Sequence, residues 1–393
     1  MKKSLIALAV LASTSAFAQS SVTLYGRMDL GTYGISTDTN AGGGALTTNA
    51  KANELAGAEG QWTGNRLGVR GSEDLGGGLK ANFNYEFRLS PDAVNATAAG
   101  AGGSTFGRTR NAFLQVAGGF GSVTIGTYLN PFDDIRTSAG VYGSGLNSGG
   151  IPGAWTLDKI NGATNPGTQG FNTRSTNSIG YRSPVFAGGF TASLGTTSQN
   201  VDNGGLVNKT NGYIGSVGYA NGPISALVAY GRGTAKASTA PVLLVLPVPG
   251  NAGTAAAAAT NTEGKITDFG LRASYDFGVA VPYFMYENAK AEGSNLGLFT
   301  GSNNSRGYEI GSTFPMGAFT PFVLFASNKQ SPTSAANVAG NNTKTTAYQL
   351  GTKYDLSKRT FVYGGFGSAK NAVDNTTIST KSTGYALGLV HNF

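Results

Sequence analysis

The 393-residue chain carries 61 Gly, 21 Phe and 17 Tyr but only 12% charged side chains, with a formal net charge of +8. It has no cysteine, so no disulfide scaffold holds it, and its one histidine, His391, excludes a His-based metal site and leaves a Ser–His–Asp triad without support. Charge at about half the usual quarter of a soluble domain, with Gly, Tyr and Phe spread along the chain, suits many strands joined by turns.

At the start of the chain, Lys2 and Lys3 precede a short apolar run over 5–11, and Ala16-Phe17-Ala18 has the form of a cleavage site. This predicts a cleaved signal peptide over 1–18 and one mature domain over 19–393. The apolar run falls well short of the roughly 20 residues a spanning helix needs. Without Lys2 and Lys3 the basic residues fall from 28 to 26 against 20 acidic ones, a net +6.

The next stretch, "SVTLYGRMDLG" at 21–31, alternates. Val22, Leu24, Gly26, Met28 and Leu30 share one face, and Thr23, Tyr25, Arg27 and Asp29 share the other. "LKANFNYEFR" at 79–88 sets Leu79, Ala81, Phe83, Tyr85 and Phe87 against Lys80, Asn82, Asn84, Glu86 and Arg88. Successive strand side chains point to opposite faces, so each such strand has one apolar and one polar wall. Seven short turns follow in order, at 73–78, 117–121, 183–189, 220–223, 276–279, 315–318 and 355–358. They interleave with eight long polar stretches, at 32–61, 89–105, 129–173, 196–210, 233–264, 288–305, 328–344 and 370–382.

Fifteen connections give sixteen strands. Strict alternation of short and long connections gives one trimmed rim and one elaborate rim, as in a transmembrane antiparallel β-barrel with short periplasmic turns and long external loops. The last strand, with Tyr385, Leu387, Leu389, His391 and Phe393 on one parity, is expected to pair with 21–31 and remove the sheet edge. No domain boundary is visible. The stretch 251–264 reads as a loop tip, and the apolar segment 240–250 is unusual for an exposed loop.

The blocks "NRLGVRGSEDLGGGLKANFNYEF" (65–87), "GGFGSVTIG" (118–126), "NSIGYRSPVFAGGF" (177–190) and "YDLSKRTFVYGGF" (354–366), with the final "YALGLVHNF", resemble the general porins of β-proteobacteria. The resemblance covers essentially the whole mature chain. It implies an all-β, sixteen-stranded barrel of the outer membrane, a homotrimer, and passive diffusion of ions and small hydrophilic solutes. It also implies a third external loop folded into the lumen as the constriction. Outer-membrane lipid, lipopolysaccharide and the barrel assembly machinery are the further partners expected, the last through the C-terminal strand ending at Phe393. No cofactor, no metal and no nucleic acid is expected, because the positive charge reads as inward and no exposed basic stripe is evident.

A pore selects by its width and by the charge that lines it. Parity places Arg27, Arg66, Arg70, Lys80, Arg88, Arg174 and Arg182 inward, with Glu86. The resemblance matches Arg66, Arg110 and Arg174 to wall arginines of the constriction. Arg110 shares parity with Ala112, Leu114 and Val116, so it either follows a bulge or lies at the rim. Asp133 and Asp134 begin the expected constriction loop, and Tyr128 is placed beside the same passage. Thr127 stands where related porins commonly carry an arginine. Anion preference is the expectation. The alternatives are a substrate-specific channel, which differs only in the detail of its constriction, and a surface adhesin of the same fold. An enzyme is not expected, because the one histidine, His391, falls on the lipid-facing parity and nothing in the sequence gives the adjacent Asp133 and Asp134 a pocket.

Overall fold

The computed structural model describes residues 21–40, 42, 48–59, 62–89, 106–137, 174–202, 206–239, 261–294, 301–331 and 342–393. The expected signal segment and the apolar segment 240–250 lie outside them.

The elements are β1 (Ser21–Asn40), β2 (Thr48–Glu59), β3 (Arg66–Gly76), β4 (Leu79–Leu89), β5 (Phe106–Gly118), β6 (Gly121–Leu129), helix α1 (Pro131–Thr137), β7 (Arg174–Arg182), β8 (Phe190–Asp202), β9 (Leu206–Asn221), β10 (Ile224–Thr239), β11 (Asn261–Tyr275), β12 (Val281–Ser294), β13 (Gly301–Thr313), β14 (Phe319–Ser331), β15 (Thr343–Asp355), β16 (Thr360–Val373) and β17 (Ser379–Asn392). All seventeen strands lie in one antiparallel sheet. β3 pairs with the inner half of β1, from Ser21 to Arg27, and β2 pairs with its outer half, from Leu30 to Thr39. β2 and β3 therefore share one place in the wall, which leaves sixteen positions. β1 also pairs with β17 from Arg27↔Asn392 to Asn40↔Ser379, which closes the barrel.

All seven short turns fall where the sequence places them. Gly77 and Gly78, at φ 61° and 82°, turn β3 into β4 in a region that L side chains avoid. Most long connections are shorter than expected. β1 runs on to Asn40, β2 fills 48–59, and only 203–205 separate β8 from β9. Outside the hydrocarbon both faces of a strand meet water, so alternation disappears while the backbone ladder continues.

The outer face is apolar, with Val22, Leu24, Leu114 and Leu194 each more than 60% exposed, as lipid contact requires. The abundance of glycine has a packing role. Tyr25, Phe83, Tyr283, Phe322 and Tyr363 each lie over the glycine directly opposite on the next strand: Gly68, Gly71, Gly311, Gly351 and Gly388. A side chain at any of these glycines would collide with the ring. The rings cover backbone that glycine leaves bare.

Candidate pore constriction

β1, β3 and β4 build one side of the lumen. Cross-strand register places Arg27 opposite Arg66, and Arg66 opposite Arg88. Three arginines thus stand in a row at one height on one face. Like charges directly opposite repel, and such a row needs hydrogen-bond acceptors or counter-charge to hold it. Arg27 Nε donates to Asn392 Oδ1 at 2.6 Å, and Arg66 Nη2 donates to Thr63 Oγ1 at 2.7 Å. Arg70 stacks its guanidinium 5.0 Å from the Tyr25 ring centroid.

Arg110 joins this group through a bulge. The β4–β5 register runs Glu86↔Asn111 and then Phe87↔Thr109, so Arg110 is the extra residue. The bulge releases Arg110 from the lipid-facing parity of Leu114 and Val116, and its Nε meets Glu86 Oε1 at 2.7 Å. Of the two sequence readings of Arg110, the bulge is therefore the one the structure contains. Glu86 also accepts from the Tyr25 hydroxyl at 3.0 Å, and Asn84 Nδ2 donates to that hydroxyl at 3.0 Å.

Arg174 departs from its expected parity. Asn177 takes φ 50° and the β6–β7 register slips between Gly126↔Ser178 and Tyr128↔Ser175. Ser175, not Arg174, then faces the inward Tyr128, and Arg174 pairs with Leu129, which is 44% exposed. A parity count along "RSTNSIGYR" cannot see this inserted residue. Lys80 and Arg182 lie near the short-turn rim and are exposed.

The opposite side of the lumen carries α1. Asn130 caps it by accepting from the Phe132 N–H at 3.0 Å, and Pro131 occupies its first turn. Phe132 and Ile135 are fully buried and pack on Ile214, Ala229 and Ile266 of β9, β10 and β11. Gly270 provides the space, since a Cβ there would lie 2.7 Å from Ile135 Cδ1. Asp133 and Asp134 fall in the first turn. Asp134 lies in the field of Arg182 and Arg272, and burial pushes its carboxyl above the usual range against their pull. Tyr128, Asp134 and Arg182 line one lumen cavity of about 250 Å³ with Gln115 and Ser193. The structure therefore splits the expected site in two. Arg27, Arg66, Arg88, Arg110 and Glu86 form one cluster, and Asp134, Arg182 and Tyr128 form another with Arg272.

Two inward acids have partners that parity does not show. Asp29, on the polar face as its parity predicts, is fully buried and accepts from the backbone N–H groups of Trp62 (3.0 Å) and Thr63 (2.6 Å) and from the Tyr363 hydroxyl (2.9 Å). These bonds hold residues 62–65 against the inner wall, where Trp62 packs on Phe322, Phe361 and Tyr363. Glu309 is also fully buried and accepts from the Tyr283 hydroxyl at 2.8 Å. His391 lies on the outer face within 2.9 Å of Thr360 Oγ1. Among the described residues no group of acidic or histidine side chains could hold a metal ion.

A closed sixteen-position barrel with a charged lumen and an inward-docked helix is the architecture of a diffusion channel. The Gram-negative porin family model matches residues 4–374. The chain belongs to the Gram-negative porin family. It is 32% identical to outer membrane porin protein 32 of Delftia acidovorans, over 99% of this chain and 95% of that one. It is 28% identical, over the full length of both, to an outer membrane porin protein of Bordetella pertussis. The anion-selective porin from Comamonas acidovorans has the same fold, with a TM-score of 0.65, 26% identity, and coverage of 95% of this porin and 100% of that chain. The porin is thus an outer-membrane barrel fitted to passive diffusion.

Proposed function

We propose that this porin is an anion-preferring channel for ions and small hydrophilic solutes, whose selectivity is set by the row Arg27–Arg66–Arg88 with Arg110. The single observation that carries the reading is the register itself. It aligns three guanidinium groups across β1, β3 and β4, with Glu86 already engaged by Arg110. An ion passing within about one Debye length, roughly 8 Å at physiological salt, feels that row incompletely screened. The name of the Comamonas relative, an anion-selective porin, supports the same direction.

The proposal extends to assembly. Residues 1–18 act as a cleaved signal, and Phe393 serves recognition by the barrel assembly machinery. Three copies associate through the wall of β3–β7, whose strands of 9 to 13 residues stop short of the 13 to 16 residues of β9–β17. A low wall fits a neighbour better than it fits the full depth of a bilayer.

Reversal potentials in planar bilayers under a salt gradient test the channel reading. Anion-favouring potentials that grow as salt is lowered support it, and cation-favouring potentials overturn it.

A further inference from the structure

At one place in the wall the chain is longer than the partner it faces. β1 pairs with β3 up to Arg27↔Arg66 and with β2 from Leu30↔Glu59, so only Met28 and Asp29 stand opposite the six residues, 60–65, that join β2 to β3. Residues 62–65 leave the ladder and turn into the lumen, where Trp62, Thr63 and Asn65 are all buried. Backbone N–H groups that give up a ladder need other acceptors, and a carboxylate is a strong one. Asp29 sits at this gap and supplies it. Its Oδ2 takes the Trp62 and Thr63 N–H groups, and its Oδ1 takes the Tyr363 hydroxyl from β16. Asn65 binds in return, since its Oδ1 accepts from the Asp29 N–H, and its carbonyl accepts from the Leu89 N–H at 3.1 Å. Trp62 shares one buried cluster with Phe322, Tyr363, Ala386 and Val390. The segment is a strap across the inner wall, tied to β1, β4 and β16.

The strap ends on Arg66. Thr63 Oγ1 accepts from Arg66 Nη2 at 2.7 Å, and the Gly64 carbonyl accepts from Arg66 Nε at 3.3 Å. Both acceptors are neutral, so these bonds fix the guanidinium without setting a negative charge against it. A carboxylate stands nearby. Glu86 pairs with Gly68, which puts it diagonally from Arg66 on the same face, and it feels the Arg66 charge. Diagonal neighbours, about 7–8 Å apart, are within reach of long side chains. An Arg66 that closed on Glu86 would lose its field to an internal ion pair. The strap holds it off that carboxylate, which stays with Arg110 and Tyr25.

We infer that Asp29, acting through residues 62–65, is a positioning residue for ion selection: it holds Arg66 in the arginine row. The inference rests on the anion-preferring reading above and adds to it an acid whose loss weakens anion preference. Charge alone gives the opposite sign, because taking a negative charge out of the lumen favours anions.

The test uses the full barrel in planar bilayers under a salt gradient, with the heat resistance of each variant measured beside it. Asp29→Ala and Asp29→Asn remove the same charge. The amide keeps an acceptor for the Trp62 and Thr63 N–H groups and can donate to the Tyr363 hydroxyl, whereas Ala releases the strap. Asp29→Ala should lower the anion-to-cation permeability ratio about twofold, and Asp29→Asn should keep it at or above the wild-type value. Thr63→Val removes the acceptor of Arg66 and leaves every charge and backbone bond in place. It should lower the ratio with heat resistance retained, and Thr63→Ser should restore it. Equal ratios in Asp29→Ala and Asp29→Asn overturn the inference, as does a Thr63→Val ratio at or above wild type. Where Asp29→Ala fails to assemble, the two Thr63 variants decide. Each shift is read relative to wild type. A cation-favouring wild type therefore overturns the reading of the channel, while the Thr63 variants still judge the strap.

Discussion

Gly26 and Phe393 exchange both of their backbone hydrogen bonds, Gly26 N to Phe393 O at 3.0 Å and Phe393 N to Gly26 O at 3.1 Å. The Phe393 ring lies over the Gly26 α-carbon, and a Cβ at position 26 would come within 2.6 Å of ring atom Cε2 and 2.8 Å of the Arg66 carbonyl oxygen. The last residue of the chain therefore completes the seam that removes the sheet edge, and Gly26 is the seat that admits it. Replacing Gly26 with Val should hinder closure as much as deleting Phe393 does. Each change should lower the heat-resistant, compact barrel in outer-membrane fractions several-fold while export to the periplasm continues. Wild-type amounts of barrel in the Gly26→Val strain would show that the seat is dispensable.

The docking of α1 makes a separate prediction. Phe132 is fully buried against β9–β11, and truncating a buried Phe to Ala typically costs about 3–5 kcal/mol. That loss is local, because α1 contributes nothing to the strand ladder. Phe132→Ala should therefore release the helix and raise single-channel conductance or its fluctuation, with little change in the barrel's heat resistance. Gly270→Leu should act in the same direction by occupying the space that Ile135 needs. Unchanged conductance in both variants would mean that α1 does not narrow the passage.

The wall was legible because lipid imposes a strict rule on it. Every outward position within the bilayer must be apolar, and the seven tight turns announce themselves through Gly, Pro and Asp. The lumen follows a weaker rule. Water tolerates almost any side chain there, so Phe322, Leu324 and Met285 sit inward and buried beside Glu309. Parity also fails wherever one residue is inserted. The bulge at Arg110 turned an apparently lipid-facing arginine toward Glu86, and the one at Asn177 took Arg174 off the inward parity. Neither bulge has a sequence mark stronger than a single Asn. Outward basic residues at the long-loop ends of the tall strands, such as Lys209, Lys329, Lys344 and Lys381, were missed for a related reason, and they correct the expectation that no exposed basic stripe exists. Those four lie in stretches where alternation has faded, and those stretches read as loops.

The arginine row yields a graded prediction for selectivity. Arg66 occupies the centre of the row, with Arg27 on one side and Arg88 on the other. Arg66→Glu should move the reversal potential furthest toward cations, and Arg88→Glu should move it less. Arg174→Glu should have the smallest effect of the three, because the bulge sets it off the inward parity. Arg110→Glu should also lower heat resistance, since it would leave Glu86 facing a second carboxylate with its ion pair gone. Equal shifts from Arg66 and Arg174 would place both in one cluster and contradict the register.

The last prediction concerns pH. Burial holds the Asp134 carboxyl above the usual carboxylate range, and Arg182 and Arg272 only partly offset it. A carboxyl with a raised native value takes up its proton as pH falls while exposed carboxylates, at about 4, are still ionised. Between that raised value and the ordinary one the folded state binds the extra proton, so this group's contribution to stability rises as pH falls through the window. For the channel the consequence is electrical. Neutralising Asp134 removes one negative charge from the face of Arg182 and Arg272, so anion preference should increase as pH falls through the raised value. Reversal potentials measured in steps from pH 7.5 to pH 4.5 should show this step in the wild type. In Asp134→Asn the preference should already be high at pH 7.5 and the step should be absent. A step that survives in Asp134→Asn would assign the titration to another carboxylate.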